Sequence, residues 1–150
     1  MTPLAIIVST FFGCLIGAFV PVINTELLLL SMSAVAPPGL VVPIIVVAAI
    51  GQMIGKSVLY AAARGALALP AGRFSQHVNE AARRIGNRKA ISGVLLFASA
   101  SSGLPPFYFM SIAAGLMRVH FGHFLVIGTS GRLLRFAAIV LFPQVIKTFF

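Results

Sequence analysis

Residues 3–70 and 91–150 form two long apolar blocks, separated by one polar stretch at 71–90. A chain built this way has little choice of solvent. Of its 150 residues 59% are hydrophobic and 9% charged, and the mean hydropathy is +1.07. Soluble domains carry about a quarter charged residues, so eleven basic and two acidic side chains cannot cover such a core with a hydrated surface. The same apolar content excludes intrinsic disorder, and the single cysteine, Cys14, excludes a disulfide scaffold. A polytopic all-α membrane protein is the expected class.

The net charge of +9 raises nucleic acid as a partner, but its distribution argues against it. No basic residue precedes Lys56, and six of the eleven fall between Arg64 and Lys89. Such a cluster beside apolar segments reads as a cytoplasmic membrane flank. Aspartate is absent, so two-Asp metal sites and Asp-dependent phosphotransfer have no raw material. Residues 4–20 lack the positive flank of a secretory signal and are expected to belong to the mature protein.

Neither block is uniform. The first breaks at Pro21–Glu26 and at Pro37-Pro38-Gly39, the second at Ser101–Pro106 and near Arg118–His123. Breaks of this kind leave short apolar pieces alternating with pieces long enough to span about 30 Å of hydrocarbon. Each half then reads as a re-entrant helical hairpin followed by a transmembrane helix, at about 39–63 and 121–142. The halves echo one another: Gly51, Gly55 and Lys56 lie mid-way along the first long helix, and Gly128, Gly131 and Arg132 along the second. With 71–90 cytoplasmic, the two halves become inverted repeats of a single membrane domain, 1–150. In 73–90, Phe74, Val78, Ala81 or Ala82, and Ile85 recur at helical spacing, predicting an interfacial amphipathic helix whose basic face meets anionic headgroups.

Four of the ionisable residues inside the apolar blocks, Glu26, Lys56, Arg132 and Arg135, are candidates for chemistry. Glu26, in VPVINTELLLL, sits at the Pro21 break, where a carboxylate is costly unless paired or hydrated and is suited to a proton or a cation. The plainer reading is that Asn24-Thr25-Glu26 caps the returning helix. Arg132 and Arg135, at i and i+3, share a helix face, so both guanidinium groups can converge on one phosphate or carboxylate. Their plainer reading is a structural pair neutralised by Glu26. Lys56 either lines the same cavity or extends towards an interface. Gly51, Gly55, Gly128 and Gly131 are explained by close helix packing. Enzyme readings fail: GTSG at 128–131 has the form of an intramembrane serine nucleophile, but no histidine follows His123. His120 and His123 lack a third ligand, so neither a metal nor another cofactor is expected.

GAFVPVINTELLLL, GQMIGKSVLYAAAR, SGLPPFYFMSIAAGLMRVHFGHF and GRLLRFAAI, in that order, resemble the DedA/VTT (SNARE-associated Golgi protein) superfamily, and its short bacterial YqaA-like branch in particular. The resemblance covers about 12–142. It implies two oppositely oriented hairpins meeting at the bilayer midplane in the bacterial inner membrane, and a role in moving lipids between leaflets. The lipids implied are phospholipids or polyprenyl-phosphate carriers, with proton coupling attached. By position, Glu26 matches the acidic residue of the first hairpin. Pro105, Ala114 and Gly115 match the second hairpin, Pro105, Pro106 and Gly115 are expected as its breaks beside Pro21 in the first, and Arg132 with Arg135 match the basic residues of the last helix. Longer members carry a second acid in the first half and an arginine in the second hairpin; here no second acid occurs, and the hairpin reads Phe107-Tyr108-Phe109. The leading expectation is a flippase-like carrier of an anionic lipid headgroup. A small-ion or drug exchanger and a non-transport assembly factor are the competing expectations, and a homodimer is left open.

Overall fold

A computed structural model describes residues 2–20, 23–66, 89–104 and 106–149. Among these residues the chain is helical without a strand. Six α-helices follow in order: α1 Pro3–Phe19, α2 Thr25–Val35, α3 Val41–Ala66, α4 Lys89–Ser102, α5 Phe107–Leu116 and α6 Phe121–Phe149, with a 3-10 turn, Pro38–Leu40, leading into α3.

Each boundary has a local cause. Thr2 caps α1, its Oγ1 accepting from the Ala5 amide at 3.3 Å, with Pro3 in the first position where no amide hydrogen is needed. Asn24 caps α2, and that helix stops before Pro37-Pro38, whose rings disfavour a helical predecessor. Pro43 lies in the first turn of α3, where its missing N–H breaks no bond. Helix α4 ends at Gly103 with φ 80°, and α5 ends before Arg118 with φ 53°. His120 opens α6, its Nδ1 accepting from the Gly122 amide at 3.2 Å.

Three sequence expectations are corrected. Helix α6 runs past 142 and through Pro143 to Phe149, because apolar surroundings offer a broken backbone no alternative partner and one missing bond is tolerated. The last two residues assigned to the 71–90 linker, Lys89 and Ala90, open α4, while 67–88 lie outside the described residues. Gly115 is no break: it lies in the last turn of α5.

Helices α3 and α6 each contain a stretch, Pro38–Gly65 and Phe121–Pro143, long and apolar enough to cross a membrane. At 1.5 Å per residue the 17, 11, 14 and 10 residues of α1, α2, α4 and α5 reach only about 26, 17, 21 and 15 Å. Apolar stripes are exposed at four-residue spacing: Leu4, Val8, Phe12 and Ile16 on α1, and Val42, Val46, Ile50, Ile54 and Val58 on α3. In water these would be contiguous sticky patches; hydrocarbon accommodates them. The helices indicate a membrane location.

The chain divides into two compact units, residues 1–55 with 132–150, and residues 56–131. The divisions fall between Gly55 and Lys56 and between Gly131 and Arg132. In the first unit α1 packs on α2, and Ile6, Cys14, Leu29, Ile44, Phe136 and Val140 form the core. A side chain at Gly51 would come within 2.7 Å of the Phe11 carbonyl oxygen, and one at Gly55 would collide with Ala18, so α1 lies directly on the α3 backbone. In the second unit α4 packs on α5. There Gly131 faces Ala100 of α4, where an added Cβ would lie 2.6 Å from its methyl, and Gly115 faces the Tyr60 carbonyl oxygen with no room for a methyl group. Gly128 is buried.

Candidate functional site

The first turn of α2 is held by three consecutive side chains, each doing something different. Asn24 Oδ1 accepts from the backbone amides of Glu26 and Leu27 at 3.1 and 3.3 Å, satisfying two of the donors a helix start leaves open. Thr25 is buried, and its Oγ1 accepts from Gln52 Nε2 of α3 at 2.7 Å. Glu26 accepts from Arg135 of α6: Nε donates to Oε1 at 2.6 Å, and Nη2 donates to the same oxygen. Capping and ion pairing therefore coexist at Glu26, since its backbone does the first and its carboxylate the second.

Arg132 lies one turn before Arg135 on the same face of α6, 8% exposed, with its guanidinium carbon 6.0 Å from the Phe136 ring centroid. The ion pair beside it is more open, with side-chain exposures of 19% for Arg135 and 33% for Glu26. The first unit thus brings together Glu26, Arg132 and Arg135, all lying in apolar helices, and the sequence supplies that unit with no second carboxylate. Two guanidinium groups against one carboxylate make an electropositive centre that can take a further anion. Cys14, also in this unit, is buried and free.

Lys56 belongs to the second unit. It is 4% exposed, and its Nζ sits over the Tyr108 ring at 4.9 Å from the centroid. The sequence had left open whether its stem reaches towards an interface; burial over an aromatic face argues against that. One helical turn on, Tyr60 donates its hydroxyl hydrogen to the Val119 carbonyl and accepts from Arg64 Nη1 at 2.7 Å, while its ring stacks on Phe124 at 4.9 Å. Ser111, fully buried, donates to the Phe107 carbonyl at 2.7 Å. His120 and His123 pack edge to face at 5.5 Å. Among the described residues no three His, Cys, Asp or Glu side chains gather where a metal could bind. Pro106 holds the cap position of α5; Pro21 and Pro105 lie outside the described residues.

Gln52 and Tyr60 went unnoticed in the sequence, and Thr25 reads there only as part of a helix cap. The available signal was a lone carboxamide in VVPIIVVAAIGQMIGK, since a neutral polar side chain amid so many apolar ones needs a partner as much as a charge does. No family model, curated protein or solved structure matches the chain.

Proposed function

We propose that this chain is an integral membrane protein of the DedA/VTT type that moves an anionic lipid headgroup between leaflets. The observation that carries the reading is the ion pair between Glu26 and Arg135, with buried Arg132 one turn away. In the proposed cycle a headgroup phosphate competes with the Glu26 carboxylate for Arg135, and Arg132 adds a second set of donors. Protonation of Glu26 releases Arg135 to the phosphate, and the returning carboxylate expels it, which makes Glu26 a proton-responsive gate. Lys56 supplies the cationic group of the second unit.

The reading of α1–α2 and α4–α5 as re-entrant hairpins is supported by helices shorter than the two long ones that each pair precedes. The inverted arrangement and the inner-membrane orientation rest on the basic stretch 71–90 being cytoplasmic. The repeat gains support from matching positions: Glu26 and Tyr108 are each the second residue of their hairpin's second helix, and each faces a cation on a long helix.

The test is leaflet exchange of a fluorescent phospholipid in proteoliposomes. Wild-type protein is expected to speed exchange over empty liposomes, and Glu26→Gln and Arg132→Ala to lose that gain while remaining folded and inserted. Wild-type exchange by Arg132→Ala overturns the reading. Absent lipid exchange together with a response from an ion-flux dye would favour a small-ion exchanger instead.

A further inference from the structure

The Gln52 carboxamide is 3% exposed and has two polar ends, of which the fold satisfies one. Nε2 donates to Thr25, while Oε1 has no hydrogen-bond donor within reach and no accessible surface. An apolar side chain of similar volume would fill this place in α3 at no such penalty, so the buried acceptor needs a reason. Its position supplies one. Thr25, which holds the other end of the amide, is the neighbour of Glu26, their Cα atoms about 3.8 Å apart along the first turn of α2. That turn is pinned on one side by Arg135 and on the other by Gln52. At Gly17 an added Cβ would collide with the Thr25 methyl, so the turn rests directly on the backbone of α1. A ligand that replaces the Glu26 carboxylate on Arg135 removes one of these restraints from the turn that holds the Gln52 amide.

We infer that Gln52 is a specificity-determining residue: the headgroup taken at the Glu26–Arg135 centre carries its own hydrogen-bond donor, a hydroxyl or a protonated primary amine, and Gln52 Oε1 accepts from it. The inference rests on the anionic-headgroup reading and deepens it. A phosphate alone satisfies the arginines and leaves Oε1 as it is. A phosphate whose headgroup also carries such a donor can satisfy both. Sites built to hydrogen-bond a substrate group discriminate strongly against the analogue that lacks it, because the protein's own polar atom then stays unpaired.

The experiment compares four acyl-labelled phosphodiester lipids in two charge-matched pairs, in proteoliposomes of the full chain. Glycerol and methanol headgroups differ in hydroxyl donors at the same net charge. Ethanolamine and choline headgroups differ in N–H donors at the same net charge. Wild type should exchange the donor-bearing member of each pair faster by about tenfold, the worth of one added hydrogen bond to a buried acceptor. Gln52→Met, close in volume and without an acceptor, should bring both ratios to about one. Gln52→Asn, which withdraws the amide by one methylene, serves as a second variant and should also lose most of the preference; should neither variant fold, the wild-type ratios alone decide. Equal rates for all four lipids in wild type overturn the inference and leave the anionic-headgroup reading standing. A preference that survives in both folded variants overturns the assignment to Gln52. Failure to move any of the four lipids faster than empty liposomes overturns the anionic-headgroup reading, and this inference with it.

Discussion

The two units answer the same placement of charge with different chemistry. In the first, a carboxylate at the second residue of α2 meets a guanidinium on α6. In the second, a phenol ring at the second residue of α5 meets an ammonium on α3. A cation over an aromatic face is worth about 0.5–2 kcal/mol and involves no group that protonation can neutralise. An ion pair dissolves when the acid takes a proton or when another anion competes for the arginine. Glu26 and Arg135 of the first unit are therefore a pairing that can be switched, whereas the contact of Lys56 with the Tyr108 ring is not switched by an acid's protonation.

The fixed character of the second unit is where the largest effect is expected. Gly115 abuts the Tyr60 carbonyl oxygen, a backbone atom that cannot swing aside. Gly115→Ala should cost about 3 kcal/mol of stability, read as a lowered melting temperature in detergent. Gly39→Ala, where an added methyl meets nothing within 4 Å, is the matched control and should melt with wild type. If Gly115→Ala were equally silent, the rigid character assigned to the second unit would fail.

Next in size is the ion pair itself. Arg135→Gln removes the guanidinium bonded to Glu26 and leaves the carboxylate only the neighbouring Arg132. The pair is partly open, so the cost should be about 2 kcal/mol rather than the larger loss of a fully buried pair. Adding Glu26→Gln should recover most of that loss, because no carboxylate then lacks its bonded guanidinium. A double-mutant cycle reads the difference directly, and strictly additive losses would remove the pairing from any account of the first unit.

Much of this framework can be read from the chain, and the exceptions have physical reasons. Helices stop where the sequence placed breaks at Pro37-Pro38 and Ser101–Pro106, because the constraints of proline and glycine are local, and at Arg118–His123, where Arg118 itself takes φ 53°. The passage of α6 through Pro143 was hidden, since in an apolar setting the medium rather than the residue decides whether the helix continues. The sequence puts Arg132 and Arg135 on one face but does not say which meets Glu26, 109 positions away in the chain. Gln52 stayed hidden because hydropathy patterning weighs a charge heavily and a carboxamide lightly, although both require partners once buried.

Tyr60 is a smaller test. Its hydroxyl ties the Val119 carbonyl and Arg64 to one point, while its ring stacks on Phe124 independently. Tyr60→Phe keeps the stack and removes both hydrogen bonds, so it should cost about 1 kcal/mol in a chemical or thermal melt. A much larger loss would mean that the second unit depends on the α5–α6 connection more than on its aromatic packing.

The smallest expected effect is the most informative about the comparison. Lys56→Met replaces a buried ammonium with an apolar chain of similar length. The substitution gives up the attraction of the Tyr108 ring and at the same time relieves the desolvation of a charge buried to 4% exposure. These terms oppose one another, so the melting transition should shift by less than about 1 kcal/mol in either direction. In the first unit Arg135→Met has less compensation, because it removes the group hydrogen-bonded to the Glu26 carboxylate. Equal losses from the two substitutions would mean that the second unit also hides an ionic partner for its cation, and the contrast between a switchable and a fixed pairing would disappear. A near-silent Lys56→Met beside a costly Arg135→Met ties the difference to the one place where the halves diverge chemically, a carboxylate at 26 and a phenol at 108.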